Sequence, residues 1–224
     1  MLSISHRDAM AYAPENTVLA IKKAIERGAH WVEIDVRQVA GQLLVIHDET
    51  LDRTTNGTGR LCDYSVEQLR IFDAGEGECI PLLDEVIEVT KGKVGLNIEI
   101  KGHGVAILVN AALSQLSLQH KVDILVSSFQ MSELQRVTEF DGSINIGVLV
   151  GSSVNEAFDW AQKLKAYSIH FSQGKVTQEL VNQAHSTGLK LYVYIVNEMA
   201  ELQKMKTLGV DAVLSNYPCR VSGV

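Results

Sequence analysis

The chain has few cysteines, no long apolar run and no excess of positive charge. It holds three cysteines, Cys62, Cys79 and Cys219, and no two have the CxxC spacing. An odd count without that spacing argues against both a disulfide framework and a thiolate zinc site. Free thiols in a reducing compartment are the reading that remains. No apolar stretch approaches the roughly 18 residues of a membrane span. No signal peptide is evident, because the first strand candidate begins at Leu2. Together these predict a cytoplasmic protein with no stable membrane insertion. Lys and Arg number 20 against 27 Asp and Glu, giving a net charge of −7. That balance argues against nucleic acid as a partner, although a local cationic pocket can still take a phosphate. Internal repeats, low-complexity tracts and interdomain linkers are also missing.

What is present is ordinary for a globular protein: 46% hydrophobic and 21% charged residues. The 224 residues suffice for one α/β barrel, read as a single domain over 1–224. Apolar β-rich runs alternate with helix-period segments, the pattern of βαβ units on a parallel sheet. Strands are expected at 2–5, 31–37, 43–47, 94–100, 122–127, 144–150, 168–171, 191–196 and 212–215. Helices are expected at 17–27, 82–90, 105–116, 131–140, 154–164, 176–187 and 199–208. In the helix at 105–116 the apolar face is read through Ile107 and Ala111, with Leu118 nearby.

Nine strands are one too many for an eight-stranded barrel. Only residues 38–42 separate the second and third candidates, too few for a crossover helix. The Ala40-Gly41 pair therefore reads as a hairpin turn, with Asp35 opposite Ile46. The remaining strands close a TIM-like (β/α)8 barrel. The stretch 51–80, rich in Thr, Gly, Asn and charge, reads as an insertion that walls or covers a site. Leu69, Ile71 and Phe72 are expected to pack it on the barrel rim.

Four segments place charge in or at the end of apolar runs: His6-Arg7, Glu33-x-Asp35, His47-Asp48 and Glu99-x-Lys101. Charges rarely occupy such positions unless paired or metal-bound. Glu33 and Asp35 share a strand face, about 6.5–7 Å apart. Two converging carboxylates repel unless a cation lies between them. A third, Glu99, ends another strand, and an all-oxygen set suits Mg2+ or Ca2+. His6 and His47 end strands beside these acids, and two imidazoles can serve as acid and base. Arg7 and Lys101 offer cations to a phosphoryl group. Asn16 or Thr17 caps the first helix. Asn16 is also placed to face the site's mouth. His103 and His170 are weaker candidates for its lining.

The segments HR, PENT, GAHWVEIDV, VIHDETLDRTTNGTG, NIEIK, SSF and GVDAVLSNYP resemble the glycerophosphodiester phosphodiesterase family, in order and over nearly the whole chain. The resemblance implies a barrel enzyme of the cytosolic bacterial type. Such an enzyme hydrolyses glycerophosphodiesters to sn-glycerol 3-phosphate and an alcohol with a divalent metal, Mg2+ or Ca2+. It implies Glu33, Asp35 and Glu99 as metal ligands, His6 and His47 as the acid–base pair, and Arg7 and Lys101 as phosphate ligands. Three positions depart from the family pattern. Asp8 stands where the family usually has glycine. Tyr194-Ile195 replaces its usual aromatic-Thr pair, with Asn197 kept. Ser215-Asn216-Tyr217-Pro218 replaces its usual TDxP ending. An acid at position 8 has three readings: it pairs with Arg7, repels an anionic substrate, or joins the metal ligands.

Two other functions compete. One is a binder of glycerophosphodiesters with little or no turnover. The other is a related barrel phosphodiesterase acting on lysophospholipids, which the polar insertion disfavours. Only Tyr64 and Phe72 are candidates to contact a choline head group. Oligomeric state is left open.

Overall fold

The computed structural model describes residues 1–224, the side chain of Ser222 excepted. Its strands are β1 (Leu2–Ser5), β2 (Trp31–Val39), β3 (Gln42–Val45), β4 (Gly95–Ile100), β5 (Ile124–Ser128), β6 (Asn145–Leu149), β7 (Ser168–Ser172), β8 (Lys190–Tyr194) and β9 (Ala212–Ser215). The helices are α1 (Val18–Glu26), α2 (Val66–Leu69), α3 (Leu83–Thr90), α4 (Val105–Ser114), α5 (Leu118–Lys121), α6 (Met131–Phe140), α7 (Val154–Lys163), α8 (Gln178–Ser186), α9 (Met199–Leu208) and α10 (Pro218–Ser222). The sheet runs β1-β9-β8-β7-β6-β5-β4-β2-β3, and β1 also pairs with β2. Eight parallel strands thus close a TIM-like barrel, and β3 hangs outside on β2 as an antiparallel arm.

The arm has the expected register. Val36 pairs with Val45, and the Ile46 amide donates to the Asp35 carbonyl at 2.9 Å. Its turn has left-handed backbone at Ala40 (φ 48°) and Gly41 (φ 80°). Two consecutive positive φ values define the tight turn that matches strand twist. From Leu43 to Ile46 the run is apolar because both faces are buried, while Gln42 at the turn is exposed. Leu43 and Val45 join the main core between barrel and helices. Leu44 and Ile46 join a second core with Leu51, Leu61, Leu69 and Ile80 from the insertion.

Along β2 the side chains alternate. Val32, Ile34 and Val36 pack outward under the helices. Trp31, Glu33 and Asp35 occupy the other face, with Trp31 packing in a small cluster with Ile4, Leu125 and Leu214. A Cβ on Gly95, the partner of Trp31 in β4, would lie 2.3 Å from the indole, so only glycine admits that ring.

Two packing expectations fail. Ile71 is 82% exposed, although Leu69 is buried and Phe72 packs beside it. Ile71 follows the one-turn helix α2 and its C-cap Arg70, on the side away from the insertion core. On α4 the buried residues are Val105, Ala106, Val109, Asn110 and Leu113, while Ile107, Ala111 and Leu118 face outward. The helix is apolar nearly all round, so periodicity did not select a face. Its N-terminus is tied by the buried Glu133, which accepts from the amides of Gly104 (3.1 Å) and Ala106 (2.9 Å).

Candidate active site

The acids meet at the C-terminal ends of the strands. Asp35 and Glu99 are register partners on β2 and β4, and Glu33 lies two residues below. One oxygen from each of Glu33, Asp35 and Glu99 lies within 4.8 Å of the others, and all three residues are buried. Burial, Asp35 and Glu99 raise the Glu33 carboxyl well above the usual carboxylate range. Burial and Asp35 push Glu99 up to about 7. Lys101 counters this charge: its Nζ lies 3.2 Å from Asp35 Oδ1 and donates to Glu99 Oε1. Lys101 and Arg7 keep Asp35 below its ordinary value despite burial. Three hard oxygens around one point fit a divalent cation, which would supply the counter-charge their burial demands.

Asp35 is held by a residue outside the strands. Asn16 Nδ2 donates to Asp35 Oδ2 at 3.0 Å, and the Asp35 amide donates to Asn16 Oδ1 at 3.0 Å. The neighbouring Thr17 takes the capping role, its hydroxyl accepting from the Ala20 amide at 3.2 Å.

His6 leaves β1 with its Nδ1 2.9 Å from Asn216 Oδ1. A carbonyl oxygen only accepts, so Nδ1 carries the proton and Nε2 keeps its lone pair. Burial lowers the His6 pKa to about 4. Asn216 is itself fixed by Asn197, whose Oδ1 accepts the Asn216 amide at 3.0 Å. The Arg7 amide donates to Glu33 Oε2 at 3.0 Å, while its guanidinium lies 2.9 Å from Glu15 and 3.3 Å from Asp35.

His47 follows β3, and its Nδ1 lies 2.5 Å from Asp48 Oδ1. Arg53 donates to Asp48 Oδ2 at 2.6 Å and to both Glu15 oxygens at 2.8 Å. Hydrogen bonds from Arg53 and His47 hold Asp48 well below the usual carboxylate range. One chain, Arg7–Glu15–Arg53–Asp48–His47, therefore links the two histidine arms. The PENT and HDETLDR segments contain Glu15, Asp48 and Arg53, but only the fold brings them together.

Two of the three readings of Asp8, the Arg7 pair and the metal ligand, are not met. Asp8 forms no ion pair with Arg7, and it is not among the three carboxylates that meet at one point. It is fully buried, and neither carboxyl oxygen has a hydrogen-bond partner. Burial, then Glu33 and Asp35, raise its pKa well above the ordinary aspartate value. Arg7, Asp8 and Ala9 all have left-handed backbone, with φ of 44°, 64° and 61°.

His170 does not line the site's mouth. It is buried in the barrel against Tyr192, bonded to Ser168 Oγ at 2.8 Å, and burial lowers its pKa to about 3. Tyr64 and Phe72 pack edge-to-face on each other at 5.4 Å within the insertion core, and form no open cage. A cavity of about 530 Å3 between β3, α3 and α4 lies outside the barrel and touches none of Glu33, Asp35 and Glu99.

Comparison with known proteins agrees with this arrangement. Residues 6–220 match the glycerophosphoryl diester phosphodiesterase family. The chain belongs to that family. A glycerophosphodiester phosphodiesterase of Caldanaerobacter subterraneus subsp. tengcongensis is 35% identical, over 97% of this chain and 94% of its own. One from Bacillus altitudinis is 31% identical, over 96% and 94%. An Oleispira antarctica phosphodiesterase solved with the product sn-glycerol-3-phosphate superposes with a TM-score of 0.92 at 29% identity, covering 100% of this chain and 96% of that one. The family is one of enzymes, and this barrel carries its phosphodiesterase fold over the full described length.

Proposed function

We propose that the protein hydrolyses glycerophosphodiesters to sn-glycerol 3-phosphate and an alcohol, with a divalent metal, Mg2+ or Ca2+, held by Glu33, Asp35 and Glu99. The observation that carries this reading is the buried three-carboxylate cluster with two cations beside it and with His6 and His47 both near Asp35. Bound there, the metal supplies Lewis-acid stabilisation of charge on the phosphoryl group. Arg7 and Lys101 add fixed positive charge beside the same oxygens. We assign His6 as the base, because burial keeps its imidazole neutral and the Nδ1–Asn216 hydrogen bond leaves the Nε2 lone pair available. His47 is then the acid that protonates the leaving oxygen. The Asp48 carboxylate accepts from Nδ1 and aims Nε2, while Arg53 holds Asp48 in place. The nucleophile is water or the neighbouring substrate hydroxyl, which is already positioned. The site stands at the end of the strands, where barrel enzymes build their chemistry.

The test is release of glycerol 3-phosphate by protein stripped with EDTA and then reloaded with Mg2+ or Ca2+. Activity is expected to vanish and return; full turnover in EDTA overturns the metal assignment. His6→Ala and His47→Ala are each expected to lower kcat about 100-fold or more. Their metal affinity should stay near that of the parent. A variant that keeps parental turnover shows that its histidine is structural.

A further inference from the structure

A second cavity, of about 220 Å3, adjoins the acidic cluster between the end of β2, the loop after β4 and the insertion. Arg37, Arg60, Lys101 and His103 line it together with Glu49 and Cys62. Lys101 is already paired with Asp35 and Glu99, which leaves Arg37 and Arg60 facing one carboxylate, Glu49, in a chain whose net charge is −7. The carboxylate offsets little. Glu49 is 68% exposed and lies 3.3 Å from Arg37, a geometry in which an ion pair is weak. Arg60 is exposed and forms no ion pair among the described residues. Its guanidinium is free to pair with an anion.

The position of the cavity is as informative as its charge. Lys101 belongs both to the cavity and to the acidic cluster. Arg37 donates through Nε to the backbone carbonyl of His47 at 2.7 Å. In an in-line displacement the nucleophile and leaving group lie on opposite sides of phosphorus. The leaving alcohol therefore lies on the side of the acid, His47, whose backbone carbonyl is held by the cavity residue Arg37. Its volume is below the roughly 300–1,000 Å3 of sites for drug-sized ligands. That size suits one polar head group. A quaternary ammonium would meet cations there and no aromatic face.

We propose that this cavity is the leaving-alcohol subsite, and that Arg60 makes it select glycerophosphodiesters whose alcohol carries an anionic group. Arginine forks match phosphate and carboxylate oxygens in pairs, which gives the selection its chemistry. The proposal rests on the phosphodiesterase reading of the neighbouring cluster.

A pair of diesters tests it: glycerophosphoinositol and its ring-phosphorylated form, which differ by one anionic phosphate on the leaving alcohol. Glycerophosphocholine supplies the cationic arm. Metal-loaded protein is expected to favour the phosphorylated diester about tenfold in kcat/KM, the equivalent of one good charged contact. Arg60→Glu should erase or invert that preference, because it lowers kcat/KM for the phosphorylated diester far more than for glycerophosphoinositol. Raising salt should shrink the preference in the parent. Binding of free inositol phosphate, followed by calorimetry, should weaken in Arg60→Glu, and binding of inositol should not change. Equal turnover of the pair overturns the proposal, as does equal slowing of both by Arg60→Glu or a preference for the choline diester. If no diester releases glycerol 3-phosphate, the phosphodiesterase reading fails. The calorimetry then decides the subsite by itself: inositol phosphate bound through Arg60 supports it, and no binding overturns it.

Discussion

Asp8 holds a left-handed backbone and a buried carboxyl without a partner, at a position where the sequence pattern otherwise calls for glycine. A Cβ in that region costs about 1–2 kcal/mol. A buried unsatisfied polar group costs about 1–3 kcal/mol more. Asp8→Gly is therefore expected to stabilise the metal-free protein by about 2–5 kcal/mol, which is at least several degrees in Tm for a chain of this size. The gain should depend on pH. The folded state raises the Asp8 pKa, so the fold binds its proton more tightly than the unfolded chain does. The penalty is absent below the unfolded pKa of about 3.9 and grows as pH rises above it. Thermal melts in EDTA at pH 5 and pH 8 should show the larger gain at pH 8. A loss of Tm in Asp8→Gly would mean that the carboxyl has a partner in solution. The acids and bases of the site were legible from their place in apolar runs. Their holders were not: Arg53 and Glu15 are 38 positions apart, and His6 and Asn216 are 210 apart. No local pattern encodes such contacts.

The alternation of strand and helix was readable because each element repeats its own period over enough residues. The hairpin was readable because its connection was too short for a helix. The bounds of β1, β9, α6 and α9 coincide with expectation, and the others shift by a few residues. The orientation of α4 was not readable, since apolar residues occupy most of its circumference and a distant carboxylate, Glu133, sets its seat. That reversal has a measurable consequence. Ile107 is 62% exposed, while Val109 is fully buried in the main core. Ile107→Ala should change stability by no more than about 0.5 kcal/mol, as surface substitutions do. Val109→Ala should cost about 1–3 kcal/mol through the methyl groups lost and the space left behind. Chemical denaturation of the two variants checks the assignment. The reverse order of effects would place Ile107 against the barrel.

For the molecule as a whole, closure of the barrel brings carboxylates from β2 and β4 to one buried point beside the two histidine arms. The sequence offered the residues, and the barrel supplies the burial that makes their charge matter. Without metal, Glu99 titrates near 7 and Glu33 sits well above its ordinary value, so the cluster holds protons at neutral pH. Metal binding must displace them, because a carboxylate ligates only when ionised. Affinity should thus fall as pH falls through 7, with a slope approaching about tenfold per pH unit for each proton displaced. Binding should also raise Tm, by an amount set by metal concentration relative to Kd. Calorimetric titration of the EDTA-stripped protein with Mg2+ and Ca2+ at the two pH values measures the slope. The proton uptake of different buffers counts the protons released. Glu99→Gln should weaken binding at both pH values and flatten the dependence, because the amide cannot titrate. Affinity that is the same at pH 6 and pH 8 would show that the three carboxylates are already ionised. Lys101 and Arg7, the cations that touch them, would then supply the counter-charge even without metal.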